Sequence, residues 1–431
     1  MLRARNMSPS NISWADLTPD AILTISECLD THSDRLRFRA VCHSWRKPVP
    51  PPQDKHLLPK EMVFPSNINV MEQFSYRYVL FQSTIYRLED PEGPPNDGWL
   101  IMVNESGEQG KFSLLNPFTM QEIEDLTEAY FPKELNSLGF RVTEVTKSFT
   151  LSWVRNEPNN PQQFLIGGAN DLRELEHKAV LSSDFESDKR FYVISDSRLC
   201  SITVGEDYWS LLYRNIEYRD LASYNGFVYG VDRFGVVVET DEWSHDSITI
   251  PSPYPFMGDW YLVKSGGDLL LVGRDYSVCH DQVYYLNSTD SFIKRPGVRE
   301  DVFVDFKICR LEEMEDGENQ WEDVDDLGDT VLVLSRKWSF AIDASDFDGI
   351  KGNRIIFVDE VKYPEYSDAD DREGDEFLRL LLQDVKVRVF DVEDNFDVPI
   401  ESRPEYHSIF WPPPDWLMDH RPLPPHQTGR Q

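Results

Sequence analysis

Apolar residues near the N-terminus recur at the spacing of a helix. Ile22, Ile25 and Leu29 follow this spacing, and Leu23 and Cys28 widen the apolar stripe. A second apolar series stops before Pro48, which cannot continue a helix, and consists of Leu36, Phe38, Val41, Cys42 and Trp45. Helix-start residues precede the two series, namely Thr18-Pro19-Asp20 and Ser33-Asp34. The pattern predicts two or three short helices within residues 14–47.

After residue 55 the pattern changes to short apolar runs bounded by Gly, Pro, Asn and Asp, which is typical of antiparallel strands. The clearest predicted strands are 99–103, 112–115, 190–194, 227–231, 236–239, 269–272, 302–308, 330–334, 353–358 and 385–389. Turn residues such as Asn225-Gly226 and Gly266-Gly267 separate them. A β region of roughly 350 residues is too large for one simple sandwich, and its strand-turn-strand units favour a β-propeller of about six to eight blades.

Composition divides the chain into four predicted parts. These are the helical segment 14–47, a proline-rich linker at 48–55, a β domain at 56–413 and a proline-rich tail at 414–431. The segment that leads into the tail, IFWPPPDWLMDHRPLPP, either clasps the last blade or hangs free. The fold class predicted from sequence is therefore mainly β, with a short helical module in front of a large propeller.

The negative charge lies almost entirely outside the helical segment. The chain has a formal net charge of -33, whereas residues 1–47 carry seven Lys or Arg and five Asp or Glu, a balance of +2. The remainder, at -35, should repel nucleic acid and anionic membranes, so neither is an expected partner. A basic segment on a protein partner would suit this charge, although solubility alone is also a sufficient reason for it.

Cysteine usage and apolar runs predict an intracellular setting. The five cysteines, Cys28, Cys42, Cys200, Cys279 and Cys309, are odd in number and lack the paired spacing of a zinc site. The N-terminus has no apolar core of a secretory signal, and no apolar run reaches the ~18 residues that a membrane span needs. We therefore expect the nucleus, the cytoplasm or both.

Residues 14–47 resemble an F-box. The resemblance rests on Leu17, Pro19-Asp20, Ile22-Leu23, Leu29 and, above all, the run from Leu36 to Arg46. One departure is Leu17-Thr18-Pro19, where the usual Leu-Pro pair is separated by one residue; Pro19 still suits the first helical turn. The resemblance implies docking to a Skp-type adaptor and, through it, to a cullin. The predicted adaptor-binding residues are Leu17, Pro19, Ile22, Leu23, Ile25, Leu29, Leu36, Val41, Cys42 and Trp45.

A physical argument for a partner stands beside the resemblance. About 34 residues in short helices bury too little apolar surface to enclose a core alone, so some of these side chains should complete their burial against a partner helix. Trp45 is the best single anchor candidate because aromatic residues dominate binding hot spots. The alternative is that the apolar stripe packs on the β domain.

The β region resembles the propeller of a large family of plant F-box proteins. The resemblance runs from about Phe81 to Pro413 and is carried by segments 98–119, 220–238, 261–272 and 306–334. It implies a kelch-like propeller and a plant source.

The sequence predicts no catalytic residue, cofactor or metal ligand. Motifs such as HExxH, GxSxG and the phosphate loop are missing. The segment from Asp368 resembles a calcium loop, but Arg372, Glu373 and Arg379 stand where an oxygen ligand, glycine and a carboxylate are required. An acidic run, expected to be a solvated loop between strands, comprises Glu312, Glu313, Glu315, Asp316, Glu318, Glu322, Asp323, Asp325 and Asp326.

Aromatic residues in predicted loops offer two interpretations. They are Trp209, Tyr254, Phe256, Trp260 and Tyr261. They either present a protein-binding face or wedge between blades as core, and the substrate-binding residues stay unknown at this point.

Three functional hypotheses follow. The leading one is a substrate-recognition subunit of an SCF-type ubiquitin ligase, with the F-box on the adaptor and the propeller on a target protein. In the first alternative the propeller is a scaffold that sequesters proteins without promoting their degradation. In the second it is a carbohydrate-active enzyme with a vestigial F-box, since propeller enzymes draw their acids from distant strands.

Overall fold

The structure is a computed structural model in which strands far outnumber helices. It describes residues 17–27, 38–49, 62–64, 76–94, 96–105, 112–118, 123, 139–155, 177–181, 190–195, 198–203, 210–213, 216–241, 247–254, 256, 258–275, 284–286, 292–294, 304–314, 319–335, 338–359 and 386–419. Each of the ten strands predicted from sequence overlaps an observed strand.

The N-terminal module contains helices α1 (Pro19–Glu27) and α2 (His43–Arg46). Thr18 begins α1 as predicted, because its Oγ1 accepts a hydrogen bond from the Ala21 N–H at 3.3 Å and its carbonyl accepts one from the Ile22 N–H at 3.0 Å. Pro19 occupies the first helical position and Asp20 the first turn, where a carboxylate suits the helix dipole.

The first sheet contains nine antiparallel strands. They are β1 (Met62–Phe64), β2 (Tyr76–Glu89), β3 (Trp99–Glu105), β4 (Phe112–Leu114), β5 (Arg141–Arg155), β6 (His177–Leu181), β7 (Arg190–Ser195), β8 (Arg198–Thr203) and β9 (Ser210–Tyr213). Their order is β4-β3-β2-β5-β6-β7-β8-β9, with β1 paired to β2. The β6 to β9 part is a simple four-stranded meander that the pairing of β5 with β6 joins to the rest.

Two four-stranded sheets follow. One is the meander β10 (Tyr218–Tyr224), β11 (Phe227–Asp232), β12 (Val237–Asp241) and β13 (Ser247–Ile250). The other joins β14 (Gly258–Ser265), β15 (Asp268–Asp275), β18 (Asp305–Glu313) and β19 (Asn319–Asp323), with the hairpin β16 (Tyr284–Leu286) and β17 (Phe292–Lys294) between β15 and β18. The predicted turn Asn225-Gly226 joins β10 to β11 with both residues at positive φ.

The last sheet has the order β21-β20-β22-β23-β24. Its strands are β20 (Thr330–Leu334), β21 (Ser339–Asp343), β22 (Arg354–Asp359), β23 (Lys386–Asp391) and β24 (Phe396–Pro399). One pairing departs from the predicted antiparallel meander: β20 and β22 are parallel. The reason is that β21 occupies one side of β20, and the chain returns through the 3-10 turn Ala344–Asp346 to enter β22 on the other side.

The first and last sheets meet. The Gly98 N–H donates to the Asp346 carbonyl at 3.2 Å, the Leu100 N–H donates to the Ile409 carbonyl at 2.8 Å, and Asp97 bridges to Phe347. A shared apolar core joins Ile85, Leu100 and Met102 of the first sheet to side chains of the last sheet and of the segment after it. The sheets therefore close on one another as the blades of a propeller do. The count of six to eight blades stays a prediction.

The C-terminal segment packs on the first sheet. Two short helices, α3 (Pro404–His407) and α4 (Asp415–Asp419), follow the 3-10 turn Ile400–Ser402. Leu417 is fully buried among Leu88, Trp99, Ile101, Val103 and Phe140, and the Trp416 ring lies 6.3 Å from that of Phe140. The start of the predicted tail thus clasps the sheet of β2 and β3 rather than the last blade; residues 420–431 lie outside the described residues.

One buried carboxylate links three neighbouring strands. Asp220 on β10 pairs through Oδ1 with the Lys178 ammonium on β6, and its Oδ2 accepts the Leu262 N–H on β14 at 2.9 Å. The Leu221 N–H also donates to Oδ1, at 2.7 Å. Because β6, β10 and β14 are the first strands of consecutive meanders, this carboxylate fixes how these meanders meet.

We predict that Leu417→Ala lowers the free energy of unfolding by about 2–5 kcal/mol, the usual cost of truncating a fully buried leucine. Chemical denaturation followed by tryptophan fluorescence measures the change. Ile248→Ala on β13 is the matched control, since Ile248 is 62% exposed and its truncation should be nearly neutral. Equal effects of the two substitutions would contradict the clasp.

Candidate adaptor-binding surface

The N-terminal module has a small core of its own. Ile22, Phe38 and Val49 are buried together, and Leu17, Ile25 and Trp45 pack partly buried against them. The Trp45 ring lies 4.4 Å from the Phe38 ring at a tilt of 37°. Several apolar side chains that were predicted to contact a partner therefore pack against one another inside the module.

Two arginines close the module around α2. Arg46 Nε donates to the Arg39 carbonyl at 3.2 Å, and Arg39 donates in return to the Arg46 carbonyl at 3.3 Å. Arg39 also donates to the carbonyl of Val49. Val49 stands in the predicted linker yet is buried in the module core, so the first part of that linker packs with the helices. Ile22 and Phe38 of the module core belong to the apolar pattern of the sequence, whereas nothing in the sequence marks Val49.

Among the described residues of the module, Leu23 and Val41 are large aliphatic side chains that remain on the surface. Leu23 is 37% exposed on α1 and Val41 is 60% exposed just before α2. Pro19 is also exposed, at the start of α1. Exposed aliphatic groups beside a completed core are the groups from which a partner helix gains buried area.

Eight of the ten predicted adaptor-binding residues lie among the described residues, and they differ in how far their side chains are exposed. Pro19, Leu23 and Val41 are exposed; Leu17, Ile25, Cys42 and Trp45 are half-buried; and Ile22 is 1% exposed. Leu29 and Leu36 lie outside the described residues. Adaptor contact by any of them stays a prediction, but the geometry directs attention to Leu23 and Val41 rather than Ile22.

Cys42 follows the exposed Val41 and directly precedes α2. Its Sγ is 3.0 Å from the Ser44 Oγ. This hydrogen bond, with smaller ones from the Trp45 and Ser44 backbone, lowers the pKa of the Cys42 thiol below its ordinary value. Cys309 is the opposite case, because burial and then the Asp323 carboxylate raise the pKa of its thiol to about 12.

Of the two interpretations of the aromatic residues, a binding face or core, the described members favour core. Trp260 and Tyr261 are buried, and the Phe256 ring stacks on Trp260 at 4.6 Å. The Tyr254 hydroxyl donates to Asp323 at 2.7 Å, which raises the pKa of Tyr254 to about 12. A Cβ at Gly273 would lie 2.4 Å from the Trp260 ring, so the absence of a side chain there makes room for this packing. Trp209 lies outside the described residues.

Four of the six described members of the acidic run lie on strands, and its other three members, Glu315, Asp316 and Glu318, lie outside the described residues. Its described members occupy β18, β19 and the segment that leads to β20. Arg310 on β18 partly neutralises them: it pairs with Glu312 at 2.5 Å and Glu322 at 2.9 Å, and both hydrogen bonds raise the pKa of its guanidinium. The remaining exposed carboxylates give this hairpin a negative surface.

The described ranges contain no group of three or more His, Cys, Asp or Glu placed to hold a metal ion. In the same ranges no helix has the length and apolarity of a bilayer-spanning segment.

Comparison with known proteins identifies the β domain. A family model described as the KIB1-4 beta-propeller matches residues 77–391. The chain belongs to the KIB1-4 beta-propeller family. The prediction of a mainly β chain with a propeller behind short helices is confirmed, and so is its resemblance to plant F-box proteins that carry a C-terminal propeller.

Relatives of this KIB1-4 family member cover both parts of the chain. The F-box protein SKIP23 of Arabidopsis thaliana is 27% identical over 95% of this chain and 96% of its own length. The F-box protein At2g17036 of the same plant is 25% identical over 94% and 95%. The F-box/kelch-repeat protein At1g64840, also from Arabidopsis thaliana, is 20% identical over 81% and 85%, in line with a kelch-like propeller.

The similarity to solved structures is weak. A chain described as BBS1N in complex with ARL6DN aligns over 41% of this chain and 57% of its own length, with 11% identity and a TM-score of 0.22.

We predict that iodoacetamide modifies Cys42 faster than Cys309 in the folded protein. The lowered pKa of the Cys42 thiol places more of it in the reactive thiolate form near neutral pH, whereas Cys309 is buried and its pKa is raised. Ser44→Ala removes the leading cause of the lowered pKa and should slow Cys42 modification. Peptide mass spectrometry at several times gives each rate; an unchanged Cys42 rate in the variant would contradict the role of Ser44.

Proposed function

We propose that this protein is the substrate-recognition subunit of an SCF-type ubiquitin ligase. The N-terminal module docks a Skp-type adaptor that connects it to a cullin, and the propeller captures a protein for ubiquitination. The observation that carries the proposal is that Leu23 and Val41 are exposed on a module whose described residues also form a small buried core, in a chain aligned over nearly its whole length with proteins named F-box proteins.

The exposed pair explains why a partner is needed. An adaptor that covers Leu23 and Val41 removes apolar area from water, at roughly 1.5–3 kcal/mol for each side chain that becomes fully buried. The half-buried Leu17, Ile25 and Trp45 pack against the buried Ile22, Phe38 and Val49 and so help to hold the two helices together. Packing on the propeller would be the competing use of the stripe, but these side chains pack within the module.

The propeller acts as a non-catalytic binding domain in this proposal. Charge supports a protein target with a basic segment, because the chain carries 76 acidic and 43 basic residues and its β18–β19 hairpin exposes several carboxylates. The complex would work in the nucleus, the cytoplasm or both, as expected from sequence.

We expect binding to a Skp-type adaptor, measured by co-purification, to depend on the exposed side chains of Leu23 and Val41. The wild-type chain should bind, and Leu23→Asp combined with Val41→Asp should weaken binding about 100-fold or more, because two apolar contacts are lost and two charges are desolvated. Ile248→Asp is the matched control: it places the same charge at an exposed aliphatic site on the propeller and should bind like the wild type.

Circular dichroism must show that the double variant keeps its fold. A folded wild-type chain that does not bind the adaptor would contradict the ligase proposal. Equal binding by both chains would leave docking intact but place it on another surface.

Reconstituted ubiquitination separates a ligase receptor from a sequestering scaffold. Proteins captured by the propeller should gain ubiquitin when the wild-type chain, adaptor and cullin ligase are combined, and the Leu23→Asp, Val41→Asp chain should capture them without modification. Immunoblotting for ubiquitin on captured proteins is the measurement. Capture without modification by the wild-type complex would favour the scaffold.

A further inference from the structure

Two connections of the propeller pack together at one end of its strands. The turn 232–236 joins β11 to β12, and the next connection on the same side joins β13 to β14 and is described at residues 251–254 and 256. Because consecutive strands of this meander are antiparallel, alternate connections lie at the same end of the sheet. The Gly258 N–H at the start of β14 donates to the Arg233 carbonyl at 3.2 Å. We call the surface formed by this turn and this connection the loop face.

Gly235 allows the two connections to approach each other. Its φ is +77°, and a Cβ at this position would lie 2.6 Å from the Trp260 ring and 2.8 Å from the Ser252 Oγ. A side chain therefore does not fit between the turn and its neighbour. The Phe256 ring stacks on the Trp260 ring at 4.6 Å, so the turn, the connection and the start of β14 form one packed unit.

The turn exposes an aromatic side chain although its backbone is held in place. The Asp232 Oδ1 accepts the N–H of Phe234 at 2.8 Å and that of Val236 at 2.9 Å. Phe234 is nevertheless 42% exposed, with the Arg233 guanidinium 5.1 Å from its ring centroid. Aromatic residues are enriched in binding hot spots, and a preformed turn loses little conformational freedom on binding.

The neighbouring connection extends the apolar surface. Pro251 and Pro253 are exposed on either side of Ser252. The Ser252 Oγ donates to the Tyr254 carbonyl at 3.0 Å and accepts the Tyr254 N–H at 3.1 Å, and the proline rings fix two φ angles. This part of the loop face is therefore also preformed.

Carboxylates border the loop face on the next sheet. The Tyr254 hydroxyl donates to Asp323 at 2.7 Å, which places the end of β19 beside the connection. Asp323, Asp325 and Asp326 are all exposed. Their printed partners are uncharged groups, since Asp323 accepts the Tyr254 hydroxyl and Asp326 accepts the Gly328 N–H at 2.8 Å.

The cations beside the loop face are already paired with other carboxylates. Arg233 lies 3.4 Å from Glu217, and Lys307, whose ammonium is 5.7 Å from the Tyr254 ring centroid, lies 3.0 Å from Asp305. These pairs leave the three carboxylates after β19 in excess. The loop face therefore combines exposed apolar groups with a negative border.

We propose that the loop face binds an extended segment of a protein target, with an apolar residue against Phe234 and a basic residue against the carboxylates. An extended segment reaches both because they lie on neighbouring sheets. Charge decides the occupant: a second copy of this chain, with its net charge of -33, and nucleic acid are both repelled by this border. Because the partner is taken to be the captured target, this proposal rests on the proposed function.

An array of synthetic heptapeptides is the probe for the full-length protein. Each peptide has leucine or phenylalanine at its centre and arginine or lysine on both sides, and its counterpart carries glutamate at the flanks. The wild-type chain should retain basic peptides in preference to their counterparts. In anisotropy titrations with the best-retained peptide, Phe234→Ser should weaken binding about tenfold or more and Asp325→Asn about two- to fivefold. Phe234→Leu, which keeps an apolar group, should retain most of the affinity.

Matched controls lie at the opposite end of the strands. Met314, which follows β18, is 42% exposed like Phe234, and Glu313 is an exposed carboxylate beside it. Met314→Ser and Glu313→Gln should bind the peptide like the wild type. The inference is overturned if the folded wild-type chain shows no preference for basic peptides, or if Met314→Ser weakens binding as much as Phe234→Ser.

Adaptor co-purification of the same samples separates this inference from the ligase proposal. Phe234→Ser changes the propeller alone and should leave adaptor binding as in the wild type. Adaptor binding without a preference for basic peptides contradicts the loop face alone. Peptide binding that depends on Phe234, without adaptor binding, contradicts the ligase proposal and supports the loop face as a peptide-binding surface.

Discussion

The structure depends on the burial of both faces of its sheets by neighbouring sheets. A sheet in a propeller is apolar on two sides, and an open row of such sheets would leave one apolar face uncovered at each end. Here the end sheets cover each other through a shared core that includes Ile85, Met102, Val331 and Phe340. The backbone hydrogen bonds from Gly98 and Leu100 set the register of that contact.

Buried ion pairs connect specific neighbouring sheets. The Arg274 guanidinium on β15 pairs with Asp359 on β22 at 2.9 Å and lies 4.6 Å over the Phe357 ring. Asp220 makes the corresponding link between β6, β10 and β14. Removing a charge from water costs several kcal/mol, which the pairing roughly offsets, so such pairs add little net stability. We infer that they specify which sheets meet, because a wrong neighbour would leave a buried charge without its partner.

Local signals in the sequence predicted local structure well. The cap at Thr18, the turn at Asn225-Gly226 and strands such as 330–334 follow from residue types and spacing that act over a few positions. The parallel pairing of β20 with β22 could not be predicted, because strand patterns carry no information about which edge is free.

The candidate surface was predictable as a stripe but not residue by residue. Ile22 and Leu23 are adjacent and equally apolar, yet one is buried and the other exposed, because Phe38 and Val49 arrive from elsewhere in the chain to cover only Ile22. Such outcomes depend on contacts between distant residues, which periodicity does not encode.

The packing of Leu417 against the first sheet also dictates an order of events during synthesis. The helical module emerges from the ribosome before the β domain and contains its own small core, whereas the contact that covers Leu88 and Trp99 requires Leu417, which is made more than 300 positions later than these two residues. Domains generally fold as units from the N-terminus during translation. An incompletely translated chain would therefore carry the folded helical module ahead of an open propeller whose apolar edge is still uncovered.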